Sequence, residues 1–169
     1  MCQGCQNKVV ERAAYRVDHV GSFLRPKELV EAREKFSKGE LSQEELTKVE
    51  DKVIAELVEK QITNGLKGVT DGEFRRAYWH LDFFWGLNGI EHVQGEKGYP
   101  FKGIETKPDT AKVSGKISGE NHPFVAHYKF LRDLVADKEG VTVKLTIPSP
   151  SQLYFELIRT EDHIKSYEQ

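Results

Sequence analysis

The stretch Asp18-His19-Val20-Gly21-Ser22-Phe23-Leu24-Arg25-Pro26, read with Val69-Thr70-Asp71-Gly72-Glu73-Phe74-Arg75-Arg76, decides the fold class. In each, a β-branched residue runs into glycine and a polar side chain, and then a new element begins. A strand ends in this way in the binding loop of an α/β protein. A long helical pattern separates the two loops, so they read as successive βα units feeding one site. They offer glycine backbone, a hydroxyl, an imidazole and carboxylates. That set suits an amino acid better than a nucleotide.

Working outward, Tyr15 to Val20 is β-compatible and ends at Gly21-Ser22. Pro26 opens a helix at its first turn, where a missing N–H costs nothing. Leu29, Val30, Arg33 and Phe36 form its partly apolar face, and Ser37-Lys38-Gly39 breaks it. The next helix has the clearest signature. Ser42 with Glu45 three residues later is a capping box. Leu46, Val49, Val53, Leu57 and Ile62 follow one face, and Gly65 suits the C′ position. Leu66 to Thr70 then reads as a short strand. A strand, helix, strand order with so long a crossover favours parallel pairing.

Beyond Phe74 the run to residue 92 is aromatic: Phe74, Tyr78, Trp79, Phe83, Phe84 and Trp85. It reads either as core packing or as the wall of a site for a flat ligand. Residues 93–111 carry Gly, Lys and Pro without helical period and read as an excursion from the main fold. Lys112 to Ile117 is a strand. His122-Pro123 starts a helix with Phe124, His127, Tyr128, Leu131 and Val135 on its apolar side, ended by Gly140. Val141 to Ile147 is a strand closed by Pro148-Ser149-Pro150-Ser151, and a last helix runs from about Gln152. The count is about four βα steps with a parallel sheet. A complete eight-unit barrel takes about 250 residues, so there is room here for roughly half of one.

Bulk properties exclude several classes. The chain has 169 residues, a net charge of -2 and 38% hydrophobic content, with a mean hydropathy of -0.57. That is one domain with a sizeable core and no electrostatic footprint for nucleic acid. No apolar run approaches the roughly 20 residues that span a bilayer. Met1 to Arg12 lacks the apolar segment of a secretory signal. A cytoplasmic protein without a membrane partner is the resulting expectation. The two cysteines stand in Cys2-Gln-Gly-Cys5. Their spacing fits half a zinc site or a redox pair. With no second pair to complete four ligands, the plainer reading is a solvated tail with incidental thiols.

Asp18–Pro26, Thr70-Asp71-Gly72-Glu73-Phe74-Arg75-Arg76, Glu105-Thr106-Lys107-Pro108 and Leu145-Thr146-Ile147-Pro148-Ser149-Pro150-Ser151 occur in that order. Together they resemble the cobalamin-independent methionine synthase family in its short, single-barrel form, over nearly all of residues 15–160. The resemblance implies a (β/α)8 TIM barrel, of which residues 15–169 would be the N-terminal half behind a tail of residues 1–14. It implies a methyltransferase that moves a methyl group from 5-methyltetrahydrofolate to the thiol of homocysteine, held on zinc. It places the homocysteine carboxylate at Val20, Gly21 and Ser22, where glycine lets an anion approach backbone N–H groups. It places the ammonium at Glu73, as a charge-assisted bond. A tight turn with a serine cap is the structural alternative for Gly21-Ser22, and a solvated loop acid or a partner of Arg75 or Arg76 is that for Glu73. His19 beside the loop could bind substrate, oriented by Asp18, or be a hydrogen-bonded structural residue. Tyr154 falls near the position of the family's folate-stacking aromatic.

Two departures accompany the likeness. The family's zinc ligands, His, Cys, Glu and Cys, lie on later strands; Cys2 and Cys5 do not match them, so no metal ligand is assigned in this chain. A thiol without zinc keeps a pKa of about 8.5 and is poorly activated at pH 7. Ile104-Glu105 also stands where larger members have an arginine before the Lys-Pro step, which weakens the case for a polyglutamyl folate donor. Two further readings follow: a zinc-dependent methyl or alkyl transferase acting on another thiol, and a non-catalytic half-barrel. Four parallel strands cannot close a barrel. Val69, Val113, Ile117, Val143 and Leu145 are then expected to meet water unless a second copy or a complementary C-terminal half covers them.

Overall fold

A computed structural model describes residues 17–95, 98, 102–103 and 106–159. Tyr15, the tail with Cys2 and Cys5, and the Ile104-Glu105 pair lie outside these residues.

Two helices open the fold. Helix α1 spans Lys27–Ser37, with Pro26 as its N-cap. Helix α2 spans Gln43–Thr63 and carries the full capping box: Ser42 Oγ accepts from Glu45 N–H, and the Glu45 carboxylate accepts from Ser42 N–H. Gly65, at φ 84°, closes it in the left-handed conformation that glycine tolerates. The buried face of α2 is Leu46, Glu50, Val53, Ile54, Leu57, Val58 and Gln61. Two polar residues are therefore inside it, which the apolar spacing did not mark. On α1, Leu29 and Ala32 are buried, while Val30 and Phe36 face solvent.

Strand β1 is Gly68–Val69 and strand β4 is Thr142–Val143; they pair in parallel. The ladder is completed by Thr142 N–H to Lys67 O at 2.7 Å and Lys144 N–H to Val69 O at 2.9 Å. Between them lie α3 (Leu81–Trp85), β2 (Asn88–Gln94), β3 (Asp109–Ser118) and α4 (Pro123–Leu134); α5 (Pro150–Arg159) follows β4. Strands β2 and β3 pair with each other, antiparallel, from Asn88↔Ser118 to Gln94↔Asp109.

This differs from four parallel strands. Among the described residues one parallel pair exists, and the predicted third strand belongs to an antiparallel ribbon. The region read as an excursion contains the end of one ribbon strand and the start of the other. Residues 17–20 are not a strand. The alternation in Val141–Ile147 is real, but only its first part meets a hydrogen-bonding neighbour. The structure is mixed α/β with small sheets.

The main core joins Leu29 of α1, Val53, Ile54, Leu57 and Val58 of α2, Val69, Phe74, and Leu131 of α4. A second cluster, Leu81, Phe84, Ile90 and Ala111, seats the ribbon on α3. Val69 is thus fully buried, contrary to the expectation that it meets water; Val113, Val143 and Leu145 are half-buried and Ile117 is exposed. The aromatic run divides likewise. Phe74 and Phe84 are core, Tyr78 donates to Asp109 at 2.7 Å, and Trp79 is exposed. A buried His80–Glu156 pair at 3.1 Å ties α5 back to the start of α3. Among the described residues no helix is long and apolar enough to cross a membrane.

Candidate functional site

The loop Thr70–Arg76 leaves β1 at the end where parallel strands carry their binding residues. Its backbone is fixed residue by residue. The Gln61 side chain, buried on α2, donates to Thr70 O at 2.8 Å and accepts from Thr70 N–H at 3.0 Å. Thr70 Oγ1 accepts from Gly72 N–H at 3.1 Å, and Asp71 Oδ1 accepts from Glu73 N–H at 3.0 Å. Gly72 and Glu73 both adopt positive φ, 64° and 56°. For glycine this is free. For glutamate it costs about 1–2 kcal/mol, a strain of the kind concentrated at ligand sites.

The result is a buried carboxylate between the ends of β1 and β4. Glu73 is 8% exposed. Its Oε1 accepts from the Thr146 hydroxyl, just past β4, at 3.0 Å. Arg76 Nη1 lies 3.7 Å from the same oxygen. Arg76 is itself buried, with Nη1 on Trp79 O at 3.2 Å and its guanidinium 4.6 Å from the Phe124 ring centroid. No described residue donates to Glu73 Oε2. Burial pushes the Asp71 carboxyl up from the usual carboxylate range, against the hydrogen bond from Glu73 N–H and the nearby arginines. Glu73 lies near Arg76, as one of the structural alternatives has it, whereas Arg75 goes to Glu50 at 3.2 Å and to Asp51.

The segment carrying the first motif lies against this loop without being a strand. Phe23 N–H donates to Gly72 O at 3.2 Å. Lys144 Nζ, next to β4, donates to His19 O at 2.6 Å and pairs with Asp18 at 2.6 Å. That hydrogen bond holds the Asp18 carboxyl below its ordinary range. Lys144 is the main partner of Asp18, with a smaller contribution from His19. The His19 ring stacks on Phe23 at 3.8 Å and its Nε2 sits 3.2 Å from Gly21 O, a structural role that also shapes the turn. Gly21 takes φ 91°, and the space a Cβ would fill is open, so an anion can reach the backbone there. Ser22 is exposed and Val20 is 73% exposed. Tyr154 stands on α5, 37% exposed, its ring 6.2 Å from that of Phe155.

Three contributors escaped the sequence reading of the site: Arg25, Lys144 and Thr146. Arg25 Nη2 donates to Arg76 O at 2.8 Å and to Glu73 O at 3.4 Å. All three lie in or beside the quoted motifs, which was the signal available. The zinc implied by the resemblance finds no seat: among the described residues no group of three or more His, Cys, Asp or Glu could hold a metal ion. A separate apolar cleft of about 410 Å³ opens between Phe83, Phe124, Val125, Tyr128, Leu145 and Ile147.

Comparison with known proteins adds a frame. No protein-family model matches the chain. It is 43% identical over 152 residues to the uncharacterised protein YxjH of Bacillus subtilis, and 40% identical over 156 residues to the uncharacterised YxjG of the same organism. These matches take in 90% and 92% of this chain but 40% of each relative, so the chain spans about two fifths of their length. Among solved structures it is similar to a Listeria monocytogenes protein described as a candidate vitamin-B12-independent methionine synthase. The TM-score is 0.67 and the identity 42%, over 82% of this chain and 37% of that one. A B12-independent methionine synthase from Shewanella sp. W3-18-1, solved with selenomethionine, gives a TM-score of 0.51 at 24% identity, over 69% of this chain and 33% of that one. That second likeness speaks to fold alone. The solved proteins this chain resembles are thus methionine synthase-like.

Proposed function

We propose that this chain carries the amino-acid-binding part of a methyltransferase of the cobalamin-independent methionine synthase type. The observation that carries the reading is Glu73: a buried carboxylate at the end of β1, strained at φ 56°, with one oxygen held by Thr146. Arg76 lies 3.7 Å from that same oxygen, and the other oxygen, which no described residue donates to, is the one offered to a ligand cation. An α-ammonium on Glu73 and an α-carboxylate at the Gly21-Ser22 backbone make a site for a small zwitterion. Homocysteine is the acceptor this reading favours, supported by the likeness to the Listeria protein at 42% identity.

These residues bind and orient; they do not activate a thiol. Zinc and 5-methyltetrahydrofolate would supply the thiol activation and the methyl group of the proposed reaction, and Tyr154 is the described residue offered to the folate. Partners follow from the same reading. The chain spans 40% of its curated relatives, and Val125, Tyr128 and Ile147 around the apolar cleft are exposed. A complementary polypeptide completing a (β/α)8 barrel, or a second copy, covers that face. No nucleic-acid or membrane partner is proposed, and the location proposed is cytoplasmic.

The test is Glu73→Gln, titrated with homocysteine and with methionine by calorimetry. A hydrogen bond to a charged group contributes about 1.5–3 kcal/mol, or about 10- to 150-fold in affinity. Unchanged affinity removes Glu73 from the site.

A further inference from the structure

Arg25 belongs to the first motif, four residues after Gly21, yet the amino-acid site as described gives it no task. Its side chain crosses to the second loop. Nη2 donates to Arg76 O at 2.8 Å and to Glu73 O at 3.4 Å. Two residues earlier Phe23 N–H donates to Gly72 O at 3.2 Å. The segment that presents Gly21-Ser22 is thus clasped at two points to the loop that presents Glu73. Arg33, on α1, also reaches that loop, through Phe74 O and Arg76 O. It is fastened to Glu50 on α2 rather than to the Gly21 segment. Arg33 can stiffen the turn; of the two arginines, Arg25 is the one that links the turn to the Gly21 segment.

We infer that Arg25 is a positioning residue that sets the separation between the Gly21-Ser22 backbone and the Glu73 carboxylate, and so selects zwitterions of α-amino-acid size. The inference rests on the amino-acid reading of Glu73 given above. Arg25 acts through the peptide carbonyls at Glu73 and Arg76 and need not touch ligand. Both bonds come from the one nitrogen, Nη2, shared between the two carbonyls. The strained φ at Glu73 makes the clasp consequential, because a loop released at its carbonyls can relax toward negative φ and carry the carboxylate with it.

The experiment is a double-mutant cycle on the 169-residue chain with methionine as the calorimetric probe. Residues acting through one another give non-additive effects. Arg25→Gln is expected to weaken methionine about tenfold in the native background and less than threefold in the Glu73→Gln background. Equal weakening in both backgrounds means that Arg25 is merely structural and overturns the inference. Wild-type affinity in Glu73→Gln overturns the amino-acid reading instead. In that case, or if the chain binds no methionine, the positioning role is read from the Glu73 amide resonance in ¹H–¹⁵N spectra. Arg25→Gln should shift it and speed its hydrogen exchange about tenfold while α2 amides stay unchanged; an unmoved Glu73 amide overturns the inference.

Discussion

Replacing Gly72 by alanine should unseat the candidate site and weaken the fold together. Gly72 sits at φ 64° between Asp71 and Glu73. An L-residue there costs about 1–2 kcal/mol. The new Cβ would also fall inside van der Waals contact of Leu57 Cδ2 and lie 3.2 Å from the Phe74 ring. Both neighbours belong to the main core, so neither can swing into solvent, and overpacking of this kind costs about 1–3 kcal/mol. Alanine returns about 0.4–1 kcal/mol by restricting the unfolded chain. The net loss is about 1–4.5 kcal/mol, against a typical total of about 5–15 kcal/mol. Equilibrium urea unfolding followed by circular dichroism measures it, as a midpoint shift at unchanged slope. The crowding part should be partly recovered by Leu57→Val, since neighbours in contact couple by about 0.5–3 kcal/mol; the φ part should not. A Gly72→Ala chain within about 0.5 kcal/mol of wild type, the range of an ordinary surface change, would refute both the loop conformation and the packing beneath it.

Other outcomes follow from the same contacts. Glu50 lies buried between Arg33 at 3.4 Å and Arg75 at 3.2 Å; Glu50→Gln strands two guanidinium groups and should cost about 3 kcal/mol in the same urea assay. The His127 imidazole is pushed down from 6.5 to about 4 by burial and then by the charges of Arg75 and Arg76. Its unfolded form therefore binds protons first as pH falls, so its contribution is complete above pH 6.5 and is lost on descending toward pH 4; melting curves of His127→Gln should lose that part of the wild-type slope. Light scattering should give a mass above the 19.3 kDa of one chain, because Val125, Tyr128 and Ile147 are exposed around the apolar cleft. A monomer at every concentration counts against a covered face.

What the sequence revealed was local. Helices α1 and α2 were legible from Pro26, from the Ser42–Glu45 box and from Gly65, because each signal is satisfied within one turn of the residue that carries it. Strand existence was not, since a strand needs a partner. Residues 141–147 alternate throughout, but the ladder holds only where Lys67 and Val69 supply carbonyls. The β2–β3 ribbon depends on register between residues up to thirty apart, and no period in the 93–111 stretch announces it. The same division runs through the site. Glu73 could be picked out as an acid after a strand and a glycine. Arg25 could not, because it acts on backbone carbonyls 48 and 51 residues away, and a carbonyl has no letter in the sequence.

The strain at Glu73 and the clasp around it belong to one arrangement. A glutamate at φ 56° persists only where its surroundings over-determine it. Here the Asp71 carboxylate takes its N–H, arginines take the carbonyls at 73, 74 and 76, and Thr146 takes one side-chain oxygen. Each such bond contributes about 0.5–1.5 kcal/mol net, so the set together outweighs a strain of about 1–2 kcal/mol. The carboxylate is therefore in place before any ligand arrives, and a binding cation need not spend affinity on ordering the loop. Glycine at position 73 would remove the strain but would also take away the carboxylate that lies 3.7 Å from the buried Arg76 guanidinium, so pairing with Arg76 is one task of this residue. Its remaining oxygen has no donor among the described residues, and it is this oxygen that the proposed amino-acid site would use.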